Sequence, residues 1–324
     1  MEKGVNVQYV VGVDIGGTNT IFGIVDARGN ILHRGGIATA GYATGEEYVA
    51  ALGAAINETI EHNDLTDKIK GIGIGAPDGN MNDGTIVRAT NIAWAKDIIF
   101  PLTQLLTEKT SLSCKLTNDA NAAALGEMIY GSAKGMKDFI VLTLGTGLGS
   151  GIVANGQLVV GHDGFAGELG HVITARHNGR ACGCGRAGCL ETYASATGVA
   201  KTAREYLELY PEKKSILRDI TYRPITSKDV FEAAEKGDEL AIEIFNFTGK
   251  MLGEAISDFI TFSSPQAIIL FGGLAHAGNY LLQPLNEAVE KNVLHLYAGK
   301  TKIMISQLND AEAAILGASA LAWE

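Results

Sequence analysis

Two stretches of this chain repeat the same order of apolar runs and glycine turns. In the first, apolar runs over residues 7–13 and 20–25 flank a glycine-rich turn at residues 14–19, and a third run ends at His33. Residues 139–160 repeat this order, and the glycines correspond to within one residue: Gly16, Gly23 and Gly29 match Gly145, Gly151 and Gly156. Each stretch is typical of three strands joined by tight turns. The duplication predicts two related α/β halves that face each other.

Both halves continue as alternating helical and strand patterns. The helical patterns cover residues 45–62, 102–110, 122–130, 238–262, 280–292 and 310–323, and the strand patterns cover residues 69–74, 112–116, 267–271 and 301–305. Strands that alternate with helices predict an α/β fold with helices packed on the sheet faces. Polar and glycine-rich clusters follow several strands, at the carboxyl ends where such sheets bind ligands.

The composition indicates a globular protein with a small ligand. A length of 324 residues with 46% hydrophobic content favours two domains with sizeable cores. The formal net charge is −10 and no Lys/Arg cluster is present, so we expect neither a nucleic-acid partner nor a membrane surface. Every apolar stretch is broken before about 18 residues and the N-terminus has no apolar signal region, which favours a cytoplasmic protein.

Three glycine turns have the composition of phosphate-binding turns. They are Asp14-Ile-Gly-Gly-Thr, Gly145-Thr-Gly and Gly272-Gly273. Backbone N–H groups splayed at a tight turn form an anion nest, and glycine lets the chain approach phosphate oxygens closely. Asp14 adds an oxygen ligand for a phosphate-bound Mg²⁺. One such turn is as often an ordinary hairpin, but three favour a nucleotide site between the halves, although neither a P-loop nor a Gly-x-Gly-x-x-Gly motif stands at a strand–helix junction.

Residues 168–191 contain a cluster of metal-ligand side chains. Cys182, Cys184 and Cys189 are three of the four cysteines, and His171 lies just upstream. Thiolates and imidazole are ligands that zinc prefers, and a site closed by four protein ligands is structural. Alternatively, the thiols are free and His171 is an ordinary core residue. A disulfide is disfavoured, because Cys182 and Cys184 are too close in sequence to pair comfortably and the cytosol is reducing.

Five motifs together resemble the ROK family of sugar kinases (repressors, open reading frames, kinases). They are Asp14-Ile-Gly-Gly-Thr18, Asn118-Asp-Ala-Asn-Ala-Ala-Ala-Leu-Gly-Glu127, Gly145-Thr-Gly-Leu-Gly149, Gly167-Glu-Leu-Gly-His171 and Cys182-Gly-Cys-Gly-Arg-Ala-Gly-Cys-Leu-Glu191. The resemblance extends from about residue 8 to the C-terminus. It implies an actin-like, hexokinase-like (ribonuclease H-like) fold, in which two α/β domains close over ATP and a sugar and the last helix returns to the first domain.

The resemblance also implies a domain division and a set of binding residues. Residues 1–117 with 309–324 are expected to form a smaller N-terminal domain with the phosphate-binding hairpin, and residues 118–308 a larger domain with the catalytic carboxylate, the second phosphate turn and the zinc loop. The expected sugar-binding residues are Gly75, Asn91, Asn118, Asp119, Glu168, His171 and Glu191. The expected ATP-binding residues are Asp14, Gly16, Gly17, Thr18, Asn19, Thr146, Gly147, Gly272 and Gly273. The expected zinc ligands are His171, Cys182, Cys184 and Cys189.

Asp119 is the candidate general base. Phosphoryl transfer needs an aligned hydroxyl, a nearby base and neutralised charge on the γ-phosphoryl group. Asp119 follows a predicted strand and precedes a predicted helix, whose positive N-terminal end is expected to keep the pKa of the carboxylate low. Alternatively, Asn118 and Asp119 only cap this helix, although capping by Asn118 is compatible with catalysis by Asp119. Glu168 and Glu191 taken singly are more readily surface acids, which is the commoner environment of glutamate. Both lie within a few residues of a proposed metal ligand, which weakens this alternative for the pair.

The resemblance implies ATP-dependent phosphorylation of the 6-hydroxyl of a hexose, with Mg²⁺ and a structural zinc, in a homodimer. Residues 189–198 are most similar to the glucose-phosphorylating branch, so glucose is the expected sugar. Asp78 and Ala93 depart from the usual pattern near the sugar loop, and Ser150 replaces a frequent glycine. N-acetylglucosamine, N-acetylmannosamine, mannose, fructose and allose therefore stay open as alternative sugars.

Two other classes of protein are disfavoured. A sugar-responsive regulator of this family needs a helix-turn-helix before the Asp14 strand, where only about a dozen residues stand. A non-catalytic sugar-binding module is expected to lack the base or a phosphate turn, and both are present. The sequence therefore favours an enzyme.

Overall fold

The first sheet begins with the predicted three-strand meander. A computed structural model describes residues 8–323, so the predicted strand start at residue 7 lies outside the described residues. Strand β1 spans Tyr9–Ile15, β2 spans Asn19–Asp26 and β3 spans Ile31–Ala38, and neighbours pair antiparallel. Val11 and Val13 are fully buried, as β-branched side chains on the inner face of a pleated sheet commonly are. The first glycine turn therefore lies at the end of β1.

The second half repeats the topology of the first. The further strands are β4 (Ile69–Gly75), β5 (Ile86–Val87), β6 (Ile99–Phe100), β7 (Cys114–Thr117), β8 (Phe139–Leu144), β9 (Leu148–Ala154), β10 (Gln157–Leu158), β11 (Ala267–Phe271) and β12 (Lys302–Ile305). One sheet has the order β3-β2-β1-β4-β7 and the other β10-β9-β8-β11-β12, while β5 and β6 form a small hairpin. In both five-stranded sheets the meander is antiparallel and the last two strands run parallel to the first. The predicted duplication is confirmed.

Nine α-helices are found among residues 8–323. They are α1 (Gly45–His62), α2 (Leu102–Thr110), α3 (Asp119–Ile129), α4 (Glu191–Ala194), α5 (Ala196–Leu209), α6 (Ser227–Glu235), α7 (Glu239–Ser263), α8 (Asn279–Asn292) and α9 (Asp310–Trp323). The bounds of α1, α2 and α9 are as predicted, whereas α3 begins three residues earlier than predicted. No helical pattern had been assigned to the stretch that forms α5 and α6.

Helices α3 and α9 lie between the two sheets and link them. Helix α9 packs on β1 and β4, where a Cβ atom at Gly12 or Gly73 would overlap a backbone carbonyl of the helix. Helix α3 packs on β8 and β9, where a Cβ at Gly151 would lie 2.6 Å from Cβ of Ala124. The last helix therefore returns to the first sheet, as predicted. This packing supports the proposed division into 1–117 with 309–324 and 118–308.

The two helices also cross each other at a pair of glycines. A Cβ on Gly126 of α3 would lie 2.9 Å from Cα of Gly317 of α9. Each sheet has a separate apolar core on its other face, one containing Ile72 and Ile74 and the other Ile268 and Leu270. Within residues 8–323, no helix is long and apolar enough to cross a membrane. The molecule is thus two α/β lobes joined through a close helix crossing.

Candidate active site

The carboxyl ends of the parallel strands from both sheets meet at one cleft. Asp14 at the end of β1 is paired in register with Gly75 of β4, which is paired with Thr117 of β7. In the other sheet, Thr143 of β8 is paired with Phe271 of β11. A cavity of about 130 Å³ lies between these strand ends, and it is lined by Asp14, Asp119, Ala122, Ala123, Thr143, Phe271, Ala313 and Ala314. This is the ligand-binding edge that the sequence predicted.

Asp119 is the first residue of α3, and Asn118 caps that helix. The Asn118 Oδ1 atom accepts a hydrogen bond of 2.7 Å from the backbone N–H of Asn121. Asp119 Oδ1 accepts a hydrogen bond of 2.8 Å from the N–H of Ala120. The capping interpretation is therefore correct for Asn118, and it accounts for the early start of α3. Because Asn118 provides the cap, the Asp119 side chain stays solvent-accessible and lines the cavity, where a reacting hydroxyl can approach.

The expectation that Asp119 has a low pKa is wrong. Although the Asp119 side chain opens to the cleft, the protein packed around it removes part of its hydration and raises its pKa above the usual value, and this effect outweighs the hydrogen bond from Ala120. Desolvation, and secondarily the charge of Asp119, raises the pKa of Asp14 to about 6. The positive end of α3 is thus too weak to offset the loss of solvent. The cleft holds two carboxylates that a proton or a hard cation would stabilise.

The first two predicted phosphate turns are each closed by one backbone hydrogen bond, but the turn in the first lobe is one residue longer than the turn in the second. The Gly16 N–H donates to the Asn19 carbonyl at 3.0 Å, and the Gly145 N–H donates to the Gly147 carbonyl at 3.0 Å. Thr146 is held by its carbonyl oxygen, which accepts a 2.7 Å hydrogen bond from Thr197 Oγ1 at the start of α5. Gly17, Thr18, Asn19 and Thr146 are exposed. Both turns are therefore open to solvent.

The third predicted turn lies beside the second. Gly272 has φ of +98°, a conformation that favours glycine, and a Cβ there would lie 3.0 Å from the Leu144 carbonyl. Gly273 is exposed and begins a short 3₁₀ helix to Ala277. Because β8 and β11 are neighbours, both turns open on the same side of the sheet. The second and third turns thus lie together at the carboxyl edge of the second sheet, whereas the first turn lies at the end of β1 in the other sheet. The atoms that contact phosphate stay a prediction.

Two predicted sugar-binding residues of the first lobe lie next to the phosphate hairpin. A Cβ on Gly17 would be 2.8 Å from the Asn91 carbonyl oxygen, and a Cβ on Gly75 would be 4.0 Å from Asp14 Oδ1. The loop of Asn91 is fixed through Trp94, whose Nε1 donates to the Thr39 carbonyl at 3.0 Å. The Trp94 ring stacks on Tyr48 with centroids 4.5 Å apart. A group bound at this loop would therefore be adjacent to a phosphate held by the hairpin.

Carboxylates from both lobes surround Glu168. Burial raises the pKa of Glu168, the His171 side chain lowers it, and the negative charges of Asp119, Asp78 and Glu191 raise it. Glu168 thus lies within electrostatic range of all four groups. Asp78 departs from the family pattern, and it is not among the predicted site residues. Its position three residues past β4, at the carboxyl end of a parallel strand, is the signal that marks it.

The four predicted zinc ligands come together. The Cys182 Sγ atom lies 3.7 Å from His171 Nδ1, and Cys184 Sγ lies 3.7 Å from Cys189 Sγ. All four ligand atoms lie within 4.8 Å of one another. Tetrahedral zinc with Zn–S bonds of about 2.3 Å requires sulfurs about 3.8 Å apart, so this donor set fits the ion. All cysteines are free, and a sulfur separation of 3.7 Å excludes a disulfide.

Glu191 links the zinc loop to the second phosphate turn. Its Oε2 accepts a 2.9 Å hydrogen bond from the N–H of Leu148, the first residue of β9. Its Oε1 accepts from Cys182 Sγ at 3.8 Å, and a Cβ on Gly147 would overlap Oε2. Since Nδ1 of His171 faces Cys182, Nε2 on the other side of the ring is turned away from the zinc ligands. His171 and Glu191 are therefore positioned by the loop that carries the cysteines.

The duplicated sheets, the paired glycine turns and the acidic cleft define an actin-like, hexokinase-like fold. A family model described as "ROK family" matches residues 10–324, and the chain belongs to this family. The family resemblance of the five sequence motifs and the predicted fold class are thereby confirmed.

Similar proteins match over nearly the whole chain. A glucokinase of Halalkalibacterium halodurans is 38% identical over 94% of this chain and 92% of that protein. A glucokinase of Thermotoga maritima is 35% identical over 97% of each chain. A solved structure described as a ROK family glucokinase of Streptomyces griseus in complex with glucose and AMPPNP has a TM-score of 0.77 and 33% identity, covering 97% of this chain and 98% of that one.

Proposed function

We propose that this protein catalyses ATP-dependent phosphorylation of the 6-hydroxyl of a hexose, with glucose as the preferred sugar. The observation that carries the proposal is the position of Asp119, which lines one cavity together with Asp14 and with the ends of the strands that precede the second and third phosphate turns. The glucokinases that match over nearly the full length support the same reaction. The complex of the similar Streptomyces griseus enzyme with glucose and AMPPNP supports this pair of substrates.

In this reaction Asp119 accepts the proton of the sugar hydroxyl. The hydroxyl oxygen forms a bond to the γ-phosphorus while the bond from that phosphorus to the β–γ bridging oxygen breaks, which releases ADP. The raised pKa of Asp119 makes it a stronger base than a fully hydrated aspartate once it is ionised. The N–H groups of the two glycine turns other than those of Gly16 and Gly145, which close the turns, stabilise the phosphate charges.

Asp14 is the residue that would hold Mg²⁺. Its carboxylate lines the same cavity as Asp119, and it is a hard oxygen donor of the kind this ion prefers. When bound, Mg²⁺ neutralises charge on the β- and γ-phosphates. Asp14 itself is kept close to the hairpin turn by its place at the end of β1.

Sugar hydroxyls are recognised by paired donors and acceptors. Glu168 and Glu191 offer acceptor oxygens, Asn91 offers both kinds of group, and Asn118 offers the Nδ2 donors that its capping bond leaves available. His171 presents Nε2 while its Nδ1 side faces the zinc ligands. Because the zinc site is closed by four protein ligands, the ion holds the loop and supplies no chemistry.

Three further proposals rest on the family resemblance and the composition. The active form is a homodimer, which sedimentation equilibrium would test.

The cleft closes when two lobes approach each other. One lobe consists of residues 1–117 with 309–324, and the other consists of residues 118–308. The protein acts in the cytoplasm, since three thiol ligands require a reducing compartment.

A coupled assay of ADP release over a panel of hexoses tests the proposed function. We expect glucose to give the highest kcat/KM among glucose, mannose, fructose, allose, N-acetylglucosamine and N-acetylmannosamine. A higher kcat/KM for an N-acetylhexosamine would overturn the choice of sugar. Absence of ADP release with every sugar, in protein shown to be folded and to contain zinc, would overturn the enzyme assignment.

A further inference from the structure

Two loops from opposite lobes are hydrogen-bonded to each other near the proposed sugar-binding residue Glu168. The first-lobe loop follows β4 and contains Asn80 and Asn82, and the second-lobe loop precedes Glu168. Asn80 Nδ2 donates to the Asp163 carbonyl at 2.8 Å, and Asn82 Nδ2 donates to the His162 carbonyl at 3.1 Å. Neither loop belongs to the zinc site or to a phosphate turn. The contact thus joins the lobes independently of the helix crossing.

Asn80 is buried and uses all of its polar groups. It is only 6% exposed, although it lies in a loop. Its Oδ1 accepts from the Asn82 N–H at 2.9 Å, its backbone N–H donates to Thr85 at 2.8 Å, and its carbonyl accepts from Gly84 at 3.0 Å. A buried amide whose groups are all paired has one orientation, because any other would leave a polar group unsatisfied.

The opposite loop is shaped to receive this side chain. Gly164 is buried and has φ of +88°, and a Cβ atom there would overlap Oδ1 of Asn80. Met81, the neighbour of Asn80, packs with the apolar cluster that contains Leu125 of α3. The first-lobe loop is therefore fixed both to the second-lobe loop and to the helix that begins with Asp119.

The contact lies close in the chain to carboxylates of both lobes. Asp78 lies two residues before Asn80, and Glu168 lies four residues after Gly164. The charges of Asp78 and Asp119 both reach Glu168. We propose that Asn80 is a positioning residue. It holds the first-lobe loop that contains Asp78 against the second-lobe loop that precedes Glu168, so that groups from both lobes face the same sugar. This inference rests on the proposed function, since it assigns Asn80 to the sugar side of that site.

Kinetics and calorimetry of Asn80→Ala test this role. We expect the sugar Kd and the sugar KM to rise about tenfold or more, because small displacements of binding groups have large effects. The KM for ATP at saturating sugar is expected to stay within about twofold, because the glycine turns do not contact this loop. Asn292→Ala is the matched control: Asn292 Nδ2 donates to the Ala288 carbonyl at 2.7 Å at the far end of α8. This control is expected to lower Tm without changing the sugar KM.

A second variant approaches the contact from the other lobe. Gly164→Ala is expected to weaken sugar binding in the same way, and to do so even if Asn80→Ala fails to fold. In the double variant the added methyl group meets a smaller side chain, so the two effects on sugar Kd are expected to be less than multiplicative. Wild-type sugar affinity in either folded single variant would overturn the proposal, even if Tm falls. Sugar binding is measured by calorimetry apart from turnover, so a wild-type protein that binds sugar without releasing ADP refutes only the proposed function.

Discussion

Asp14 and Asp119 line one cavity between the two sheets, and the charge of Asp119 helps to raise the pKa of Asp14 to about 6. They reach this cavity from different elements, Asp14 from the end of β1 and Asp119 from the first turn of α3. Two carboxylates with little water around them destabilise each other when both are ionised. This pair determines how the ligand-free protein responds to pH.

We expect the ligand-free protein to become more stable as the pH falls from 7 to 5. The pKa of Asp14 rises from its usual 3.8 to about 6 in the folded protein, so between these values the native state binds more protons than the unfolded state. Proton binding by Asp14 in the folded state therefore increases the free energy of unfolding at low pH, and this contribution is lost as the pH rises through 6. Asp14→Asn is expected to reduce the difference in Tm between pH 5 and pH 7. An unchanged Tm difference in this variant would contradict the assignment.

Asp119→Asn is expected to lower kcat by about 10²–10⁴, because general base catalysis contributes this much. Sugar affinity is expected to stay within a few-fold, since the amide keeps the size of the carboxylate and can accept the hydrogen bond from Ala120. Rapid-quench kinetics and calorimetry of sugar binding measure the two effects separately. Retained turnover in this variant would show that another group takes the proton.

Cys184→Ser is expected to reduce bound zinc, which should be close to one ion per chain in the native protein. Because the ion holds His171 and the loop that leads to Glu191, the sugar KM is expected to rise or the loop to unfold, without a selective loss of the chemical step. Elemental analysis and kinetics measure both effects. Cys114→Ser is the control, since Cys114 lies outside the cluster and its loss should leave zinc content unchanged.

Glu127 is fully buried at the C-terminal part of α3, and its loss is expected to destabilise the fold. Its Oε2 accepts a 2.6 Å hydrogen bond from the Ser132 N–H, and its Oε1 accepts from the Ser306 hydroxyl. Glu127→Ala leaves both donors unpaired, so the free energy of unfolding is expected to fall by about 2–4 kcal/mol. Urea denaturation measures this value.

Glu127→Gln provides the matched comparison. The amide oxygen can accept from Ser132, and the amide nitrogen can donate to the Ser306 hydroxyl once that group rotates. The loss of stability is therefore expected to be about 1 kcal/mol or less. Equal stability losses in the alanine and glutamine variants would show that the two hydrogen bonds do not account for the effect of Glu127.

Much of the fold was predictable because its signals are local. The glycine spacing around Gly16 and Gly145 predicted both meanders, and the bounds of α1 and α2 followed from apolar periodicity. Helix α3 was predicted three residues short, because the patterns were read from its apolar residues and Asn118 was not taken as the definite cap. The stretches of α5 and α6 have amphipathic patterns as clear as those of α1 and α2, so these two helices were predictable from the sequence and were missed.

The candidate site was only partly predictable. The zinc ligands fall within a short stretch, so their spacing was enough to predict the cluster. Asp78 follows a predicted strand, which is a local signal, but only the pairing of β4 with β7 shows that this strand end lies beside Asp119. Asn80 carried no signal either, since its partners Asp163 and Gly164 belong to the other lobe.

The sequence by itself determined the turns, the repeat and the metal ligands, because backbone conformation and ligand spacing act over a few neighbouring residues. Tertiary structure decided which carboxylates share a cleft and how strongly they hold their protons. The helix dipole at Asp119 can be anticipated from the sequence, whereas the loss of water around it depends on walls supplied by β8, β11 and α9. Desolvation and contacts between lobes arise only when distant segments pack together, so they are set by the folded chain.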